Sequence, residues 1–157
     1  MRNTRVPLLS WLLIAGAVLP VAALGVAGAL TMPVFAEQTV SGQQVPVEDG
    51  GSYTDVHPAG LASMLEAKDF PLVNVHIPYE GEIEGTDLFI PFNEIEAHLG
   101  ELPSDPSAKL VLYCRTGGMS AIAARALVKL GYTNVWNLDG GMVGWTEAGY
   151  PLVTLGR

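Results

Sequence analysis

Leu110-Val111-Leu112-Tyr113-Cys114-Arg115-Thr116-Gly117-Gly118-Met119-Ser120 is the stretch that decides how this chain is read. An apolar run stops at a cysteine. A loop with two adjacent glycines follows, and Ala121 to Val128 then has a helical pattern. This is a buried strand handing over to a helix N-terminus. Cys114 is the only cysteine in the sequence. At such a junction the sulfur meets unpaired N–H groups of the loop and first helical turn, the positive end of the helix dipole, and the cation of Arg115. All three favour the thiolate, which is the nucleophilic form. A lone cysteine in an α/β domain is otherwise a small buried hydrophobe, and position alone does not decide between the two. The glycine pair favours the reactive reading, because adjacent glycines let N–H groups turn inward around an anion.

The 157 residues allow one domain of ordinary size plus an appendage. The formal net charge is −8, and all 16 Asp and Glu residues lie beyond residue 36. So acidic a domain argues against nucleic acid and anionic lipid as partners. With one cysteine there is no intrachain disulfide and no second thiol to resolve an adduct on Cys114. Any such adduct must leave through an external acceptor.

The first 36 residues carry only Arg2 and Arg5 as charges. Leu8 to Leu30 is apolar apart from Ser10, Gly16, Pro20, Gly25 and Gly28, and is long enough to cross a bilayer. Residues 1–36 are therefore read as an uncleaved membrane anchor. A signal segment cleaved after Ala36 is the alternative. Either way the arginines stay inside and the acidic domain goes to the extracytoplasmic side, anchored or secreted. Residues 37–52 are polar and glycine-rich and read as a linker. Residues 53–157 form the globular domain.

Within the domain, Tyr53-Thr54-Asp55 reads as an edge strand, and Pro58 opens a helix with His57 at its N-cap. Phe70 to His76 reads as a second strand. Tyr79 to Asp87, with Glu80, Glu82, Glu84 and Asp87, reads as a solvated acidic loop whose spacing fits no calcium site. Leu88-Phe89-Ile90 is a third strand, and Asn93 with Glu96 suggests a capping box on a short helix to Leu99. Leu110 to Tyr113 is the central strand. A helix runs from Ser120 to about Leu130 and stops at Gly131. Asn134 to Leu138 is another strand, and a last helix covers about Met142 to Ala148. Short apolar strands alternating with helices predict a three-layer α/β domain, its sheet mainly parallel with helices on both faces. Ligands bind such sheets at the carboxyl ends of the strands, where Cys114 lies.

Cys114-Arg115-Thr116-Gly117-Gly118-Met119-Ser120 resembles the single-domain active loop of the rhodanese-like sulfurtransferase family, Cys-Arg-x-Gly-x-x-Ser. Leu130-Gly131-Tyr132-Thr133-Asn134-Val135, Leu138-Asp139-Gly140-Gly141, Gly144-Trp145 and Ala148-Gly149-Tyr150-Pro151 are similar to the family's C-terminal signature. The resemblance covers about Tyr53 to Leu152. It implies a Cys114 persulfide, charged by a small sulfur donor such as thiosulfate and emptied onto cyanide, a thiol or a protein acceptor. It implies Arg115, Thr116, Gly117, Gly118, Met119 and Ser120 as the substrate-binding loop, and neither a metal nor an organic cofactor.

The chain departs from the family in three places. The usual Asp-x-Arg reads Asn74-Val75-His76, which exchanges a permanent cation for a titratable ring and makes His76 a candidate accessory residue. The usual Gly-His-Ile-Pro-Gly-Ala reads Gly81-Glu82-Ile83-Glu84-Gly85-Thr86. Met119 stands where many relatives carry a basic residue. Each change makes the surroundings less positive, so weak thiosulfate:cyanide activity is expected. A phosphatase of related fold needs Cys-x5-Arg, to clamp two phosphate oxygens, but Ser120 occupies that arginine's place. A thiol–disulfide oxidoreductase needs Cys-x-x-Cys, which is absent. A non-catalytic binding or sulfur-sensing module at the membrane surface is the alternative function.

Overall fold

The computed structural model describes residues 40–154. The anchor or signal expected over 1–36 lies outside them. Among the described residues, no helix is long and apolar enough to cross a membrane. The elements run β1 (Gln43–Pro46), β2 (Ser52–Val56), α1 (Pro58–Glu66), β3 (Leu72–Asn74), β4 (Glu82–Ile83), β5 (Leu88–Phe89), a 3-10 helix (Ile95–Glu101), β6 (Leu110–Tyr113), α2 (Gly118–Lys129), β7 (Val135–Leu138), α3 (Gly141–Glu147) and β8 (Leu152–Val153). Six strands form one sheet in the order β1-β2-β7-β6-β3-β5. Every pairing in it is parallel except β1 with β2. This is the expected α/β architecture, a mainly parallel sheet covered on both faces.

The alternation of side chains along a strand divides the core. Leu110 and Leu112 of β6 pack under α2 and the 3-10 helix, with Ala123, Ala124, Leu127 and Ile95. Val111 and Tyr113 face the other way, against Leu61 and Met64 of α1 and Met142 and Trp145 of α3. All four β6 residues are completely buried. Each such aliphatic side chain contributes about 1.5–3 kcal/mol from burial, which fixes β6 in the middle of the sheet and the following Cys114 at its carboxyl end.

The structure differs from the sequence reading in several elements. The stretch read as a linker contains β1, so Tyr53 to Asp55 lies one strand in from the edge. Polar side chains hold this hairpin: Gln44 Nε2 donates to Thr54 Oγ1 (2.7 Å) and Ser52 Oγ donates to Gln44 Oε1 (2.5 Å). Its turn passes through positive φ at Asp49, Gly50 and Gly51. The helix expected at Asn93 is a 3-10 helix with no side-chain cap. The tight bonds Glu94 N–H to Pro91 O (2.8 Å) and Ala97 N–H to Glu94 O (2.9 Å) start the chain on that narrower path. The acidic loop is not simply solvated. Glu82 is buried in β4, which pairs with β8, and Asp87 accepts from the Leu72 N–H (2.7 Å) and from Lys68 Nζ (2.6 Å).

Candidate active site

Three parallel strands end side by side at the site. Asn74 of β3 is in register with Tyr113 of β6, and Leu112 of β6 with Asn137 of β7. The residues just beyond these ends are His76, Cys114 and Asp139. The loop after β6 is short: Gly117 takes a left-handed conformation (φ 92°) and serves as the N-cap of α2. The helix therefore begins at Gly118, two residues before the expected Ser120. Without Gly117 the turn would put a Cβ against the main chain of Leu138 and Gly140, both 3.4 Å away.

This turn aims donors at the sulfur. The Gly117 N–H points at Cys114 Sγ from 3.1 Å, and Ser120 Oγ lies 3.4 Å from it. The Ser120 hydroxyl also reaches the Gly117 carbonyl oxygen at 3.1 Å, so its single proton has two acceptors to choose between. The first N–H groups of α2 have no partner within the helix, and the thiol sits at that end. Cys114 is 1 % exposed, so a reactant can present only a narrow, terminal atom to Sγ.

The remaining loop residues are placed differently. Thr116 and Gly118 are exposed. Met119 is half-buried and packs on the core cluster beneath α2. The Arg115 side chain does not lie free beside the sulfur. Its Nε is 3.1 Å from Glu80 Oε2, in an ion pair. The same oxygen is 3.4 Å from Nε2 of His76, which is 6 % exposed. Among the described residues, neither ring nitrogen of His76 has a hydrogen-bond partner. The cation expected to assist the thiolate is thus held by a carboxylate.

Three further groups shape the site from outside it. The N–H groups of Met142 and Val143, at the start of α3, donate to the carbonyl oxygens of Cys114 and Arg115 (both 2.9 Å). Tyr113 OH accepts from the Ile83 N–H (3.0 Å) and shares a proton with Thr86 Oγ1 (2.7 Å), which ties β6 to the acidic loop. Burial pushes this phenol up to about 12. Asn74, fully buried, donates from Nδ2 to the Gly81 carbonyl (3.0 Å) and accepts the His76 N–H (3.0 Å). His57 lies outside this group. It is exposed at the head of α1, its Nδ1 3.6 Å from Asp139 Oδ2, and its side chain makes no cap bond.

The sequence named Glu80 only as part of an acidic loop and Gly141 only as part of the C-terminal signature, neither as a residue of the site. Glu80 stands four residues after His76, a spacing that suggests contact only where the chain turns, and nothing local names Arg115 as its partner. Nothing in the sequence shows that the turn at Gly140-Gly141 rests on the cysteine loop.

A mainly parallel sheet, a cysteine at the carboxyl end of its central strand and a donor-lined loop leading into a helix define an α/β domain with a cysteine-centred site. Residues 58–148 match the family model of the rhodanese-like domain, and the chain belongs to that family. It is 34% identical over 93 residues to a sulfurtransferase of Allochromatium vinosum, covering 57% of this chain and 84% of that one. It is 36% identical over 92 residues to the thiosulfate sulfurtransferase GlpE of Shewanella oneidensis, covering 56% and 87%. Among solved structures it is similar to a rhodanese-related protein of Thermoplasma volcanium, at 30% identity and a TM-score of 0.54, covering 63% of this chain and 96% of that one.

Proposed function

We propose that this chain is an exported sulfurtransferase that carries sulfane sulfur as a persulfide on Cys114. The observation that carries the reading is the Gly117 N–H aimed at Sγ from 3.1 Å at a helix N-terminus. A fixed main-chain donor stabilises negative charge on Sγ without reorganisation. The chemistry balances in two steps. The Cys114 thiolate attacks the terminal sulfur of a donor. With thiosulfate the donor's S–S bond breaks and sulfite leaves with the electron pair; with a thiol persulfide a thiolate leaves. Cys114 then holds one additional sulfur. An acceptor thiolate attacks that outer sulfur, the Sγ–S bond breaks, and Cys114 departs with the pair as thiolate. Cyanide in the acceptor role gives thiocyanate. The relatives named as sulfurtransferases support this class of reaction.

The test is mass spectrometry of the full chain, wild type against Cys114→Ser, after exposure to thiosulfate and to a thiol persulfide. The expected result is one added sulfur on the wild type alone, removed by a thiol. No adduct with any donor would overturn it in favour of a binding module. We propose the extracytoplasmic side for the domain, on the asymmetry of Arg2 and Arg5 against the apolar run that follows. Cleavage of the domain by a protease confined to the outer side of the membrane it is anchored in checks this placement; protection there would overturn it.

A further inference from the structure

Arg115 is the cation that the cysteine loop can offer to an anionic donor, and the structure shows what it is doing instead. Glu80 Oε2 lies 3.1 Å from Arg115 Nε and 3.4 Å from His76 Nε2. One carboxylate oxygen thus faces an exposed guanidinium on one side and a buried imidazole on the other. The arginine's charge is cancelled within its own contact with Glu80. As an ion pair between half-exposed partners it stabilises the fold little. Its consequence is for whatever approaches Cys114. A permanent cation reaching from position 76 would compete for the same carboxylate and leave Arg115 freer; the His76 ring, 3.4 Å away and making no hydrogen bond to it, leaves Glu80 committed to Arg115.

A second observation points the same way. Glu80, Arg115, Met142, Val143, Thr146 and Leu152 line a recess of about 100 Å³. The recess adjoins the cysteine loop, because the Met142 N–H is bonded to the Cys114 carbonyl oxygen (2.9 Å). Its wall is mostly apolar, with the charges already paired. Thiosulfate has a sulfonate and no hydrocarbon to place there. The persulfide of a small thiol has both a narrow terminal sulfur and a carbon body.

We propose that Glu80 is the specificity-determining residue of the site: by holding Arg115 it withholds the cation from dianionic donors, and so selects the persulfides of small thiols. This rests on the sulfurtransferase reading. The step is attack of the Cys114 thiolate on the terminal sulfur of R–S–SH. The donor's S–S bond breaks, R–S⁻ leaves with the electron pair, and Cys114 keeps the sulfur with its proton.

The test is the rate at which the full chain gains sulfur on Cys114 from thiosulfate and from 2-mercaptoethanol persulfide, followed by mass spectrometry. The readout is the ratio of the two rates, which cancels any difference in the folded fraction. Glu80→Gln raises the thiosulfate-to-persulfide ratio at least fivefold over wild type. His76→Arg, which adds a contending cation at a separate position, raises it in the same direction. A ratio within twofold of wild type in both variants overturns the proposal and leaves the sulfurtransferase reading standing. A wild type that gains sulfur from neither donor overturns both.

Discussion

Gly141 faces the main-chain carbonyl oxygen of Cys114 with no room for a side chain between them. A Cβ on Gly141 would also lie 2.6 Å from the Arg115 carbonyl carbon and 2.7 Å from its oxygen, and the residue has φ +56°. The contact sets α3 so that its first N–H groups reach the loop carbonyls, and it lets a helix with no catalytic side chain hold the nucleophile in place.

Gly141→Ala should therefore damage the fold and the site together. Overpacking against main chain costs about 1–3 kcal/mol, to which the left-handed backbone adds about 1 kcal/mol. Urea denaturation should show a lower midpoint. In the fraction that remains folded, sulfur loading on Cys114 should also be slower, because the carbonyls of Cys114 and Arg115 are pushed off α3. A variant of wild-type stability and loading rate would show that the close approach is not needed.

Ser120→Ala tests the second donor to the sulfur. The hydroxyl lies 3.4 Å from Sγ and also serves the Gly117 carbonyl at 3.1 Å. A bond shared in this way contributes less than the usual range for charged acceptors, about 1 kcal/mol. Alkylation of Cys114 by iodoacetamide at neutral pH should slow about fivefold, the rate equivalent of that energy. The fold should be nearly unaffected, since alanine is a good helix former at this position in α2. An unchanged alkylation rate would assign Ser120 to the loop carbonyl alone.

Tyr113 gives a pH-dependent prediction. Its phenol is pushed from 10.0 up to about 12 by burial, against the lowering effect of its bonds to Thr86 and Ile83. The fold thus favours the protonated phenol. That contribution is complete below pH 10 and is lost as pH rises through 12. Tyr113→Phe leaves the buried Ile83 N–H without its acceptor and should cost about 1–3 kcal/mol below pH 10. Between pH 10 and 12 the wild type should lose stability faster than the variant, so the gap between their urea midpoints narrows. A gap independent of pH would mean that the phenol does not ionise in the unfolding equilibrium.

The parts of this molecule legible in the sequence are those set by local pattern. Leu110 to Tyr113 is apolar throughout because both faces of β6 are covered, and the glycines after Cys114 announce the turn into α2. β1 was hidden because Gln43, Gln44, Val45 and Pro46 have the composition of a linker, and the bonds that recruit them come from Ser52 and Thr54 across the hairpin. β4 and β8 are two residues each, too short to leave a period, and exist only through one another. In the site, Cys114 and its donors were legible because they are neighbours in sequence. Glu80 was not. Its partner Arg115 is brought to it by β3 lying beside β6, a fact of topology that no spacing within the acidic stretch encodes.

Asn74 replaces the aspartate usual in the family's Asp-x-Arg, and the structure gives a reason to keep the amide. Its Oδ1 must face the His76 N–H, which fixes the side chain so that Nδ2 meets the Gly81 carbonyl oxygen at 3.0 Å in a fully buried setting. In Asn74→Asp the donor becomes an oxygen facing an oxygen. Ionised, the new carboxylate is buried without a partner on that side, a loss of about 2 kcal/mol or more. Protonated, it can donate to Gly81 and restore the bond. The folded-state pKa of the introduced acid should therefore lie above its unfolded value of about 3.9. Its deficit relative to wild type should be small at low pH and should grow as pH rises through the folded pKa. Urea midpoints of the two proteins across the acid range check this. A deficit that shrinks with rising pH would show that the site welcomes a charge at position 74, and that the amide is not required by Gly81.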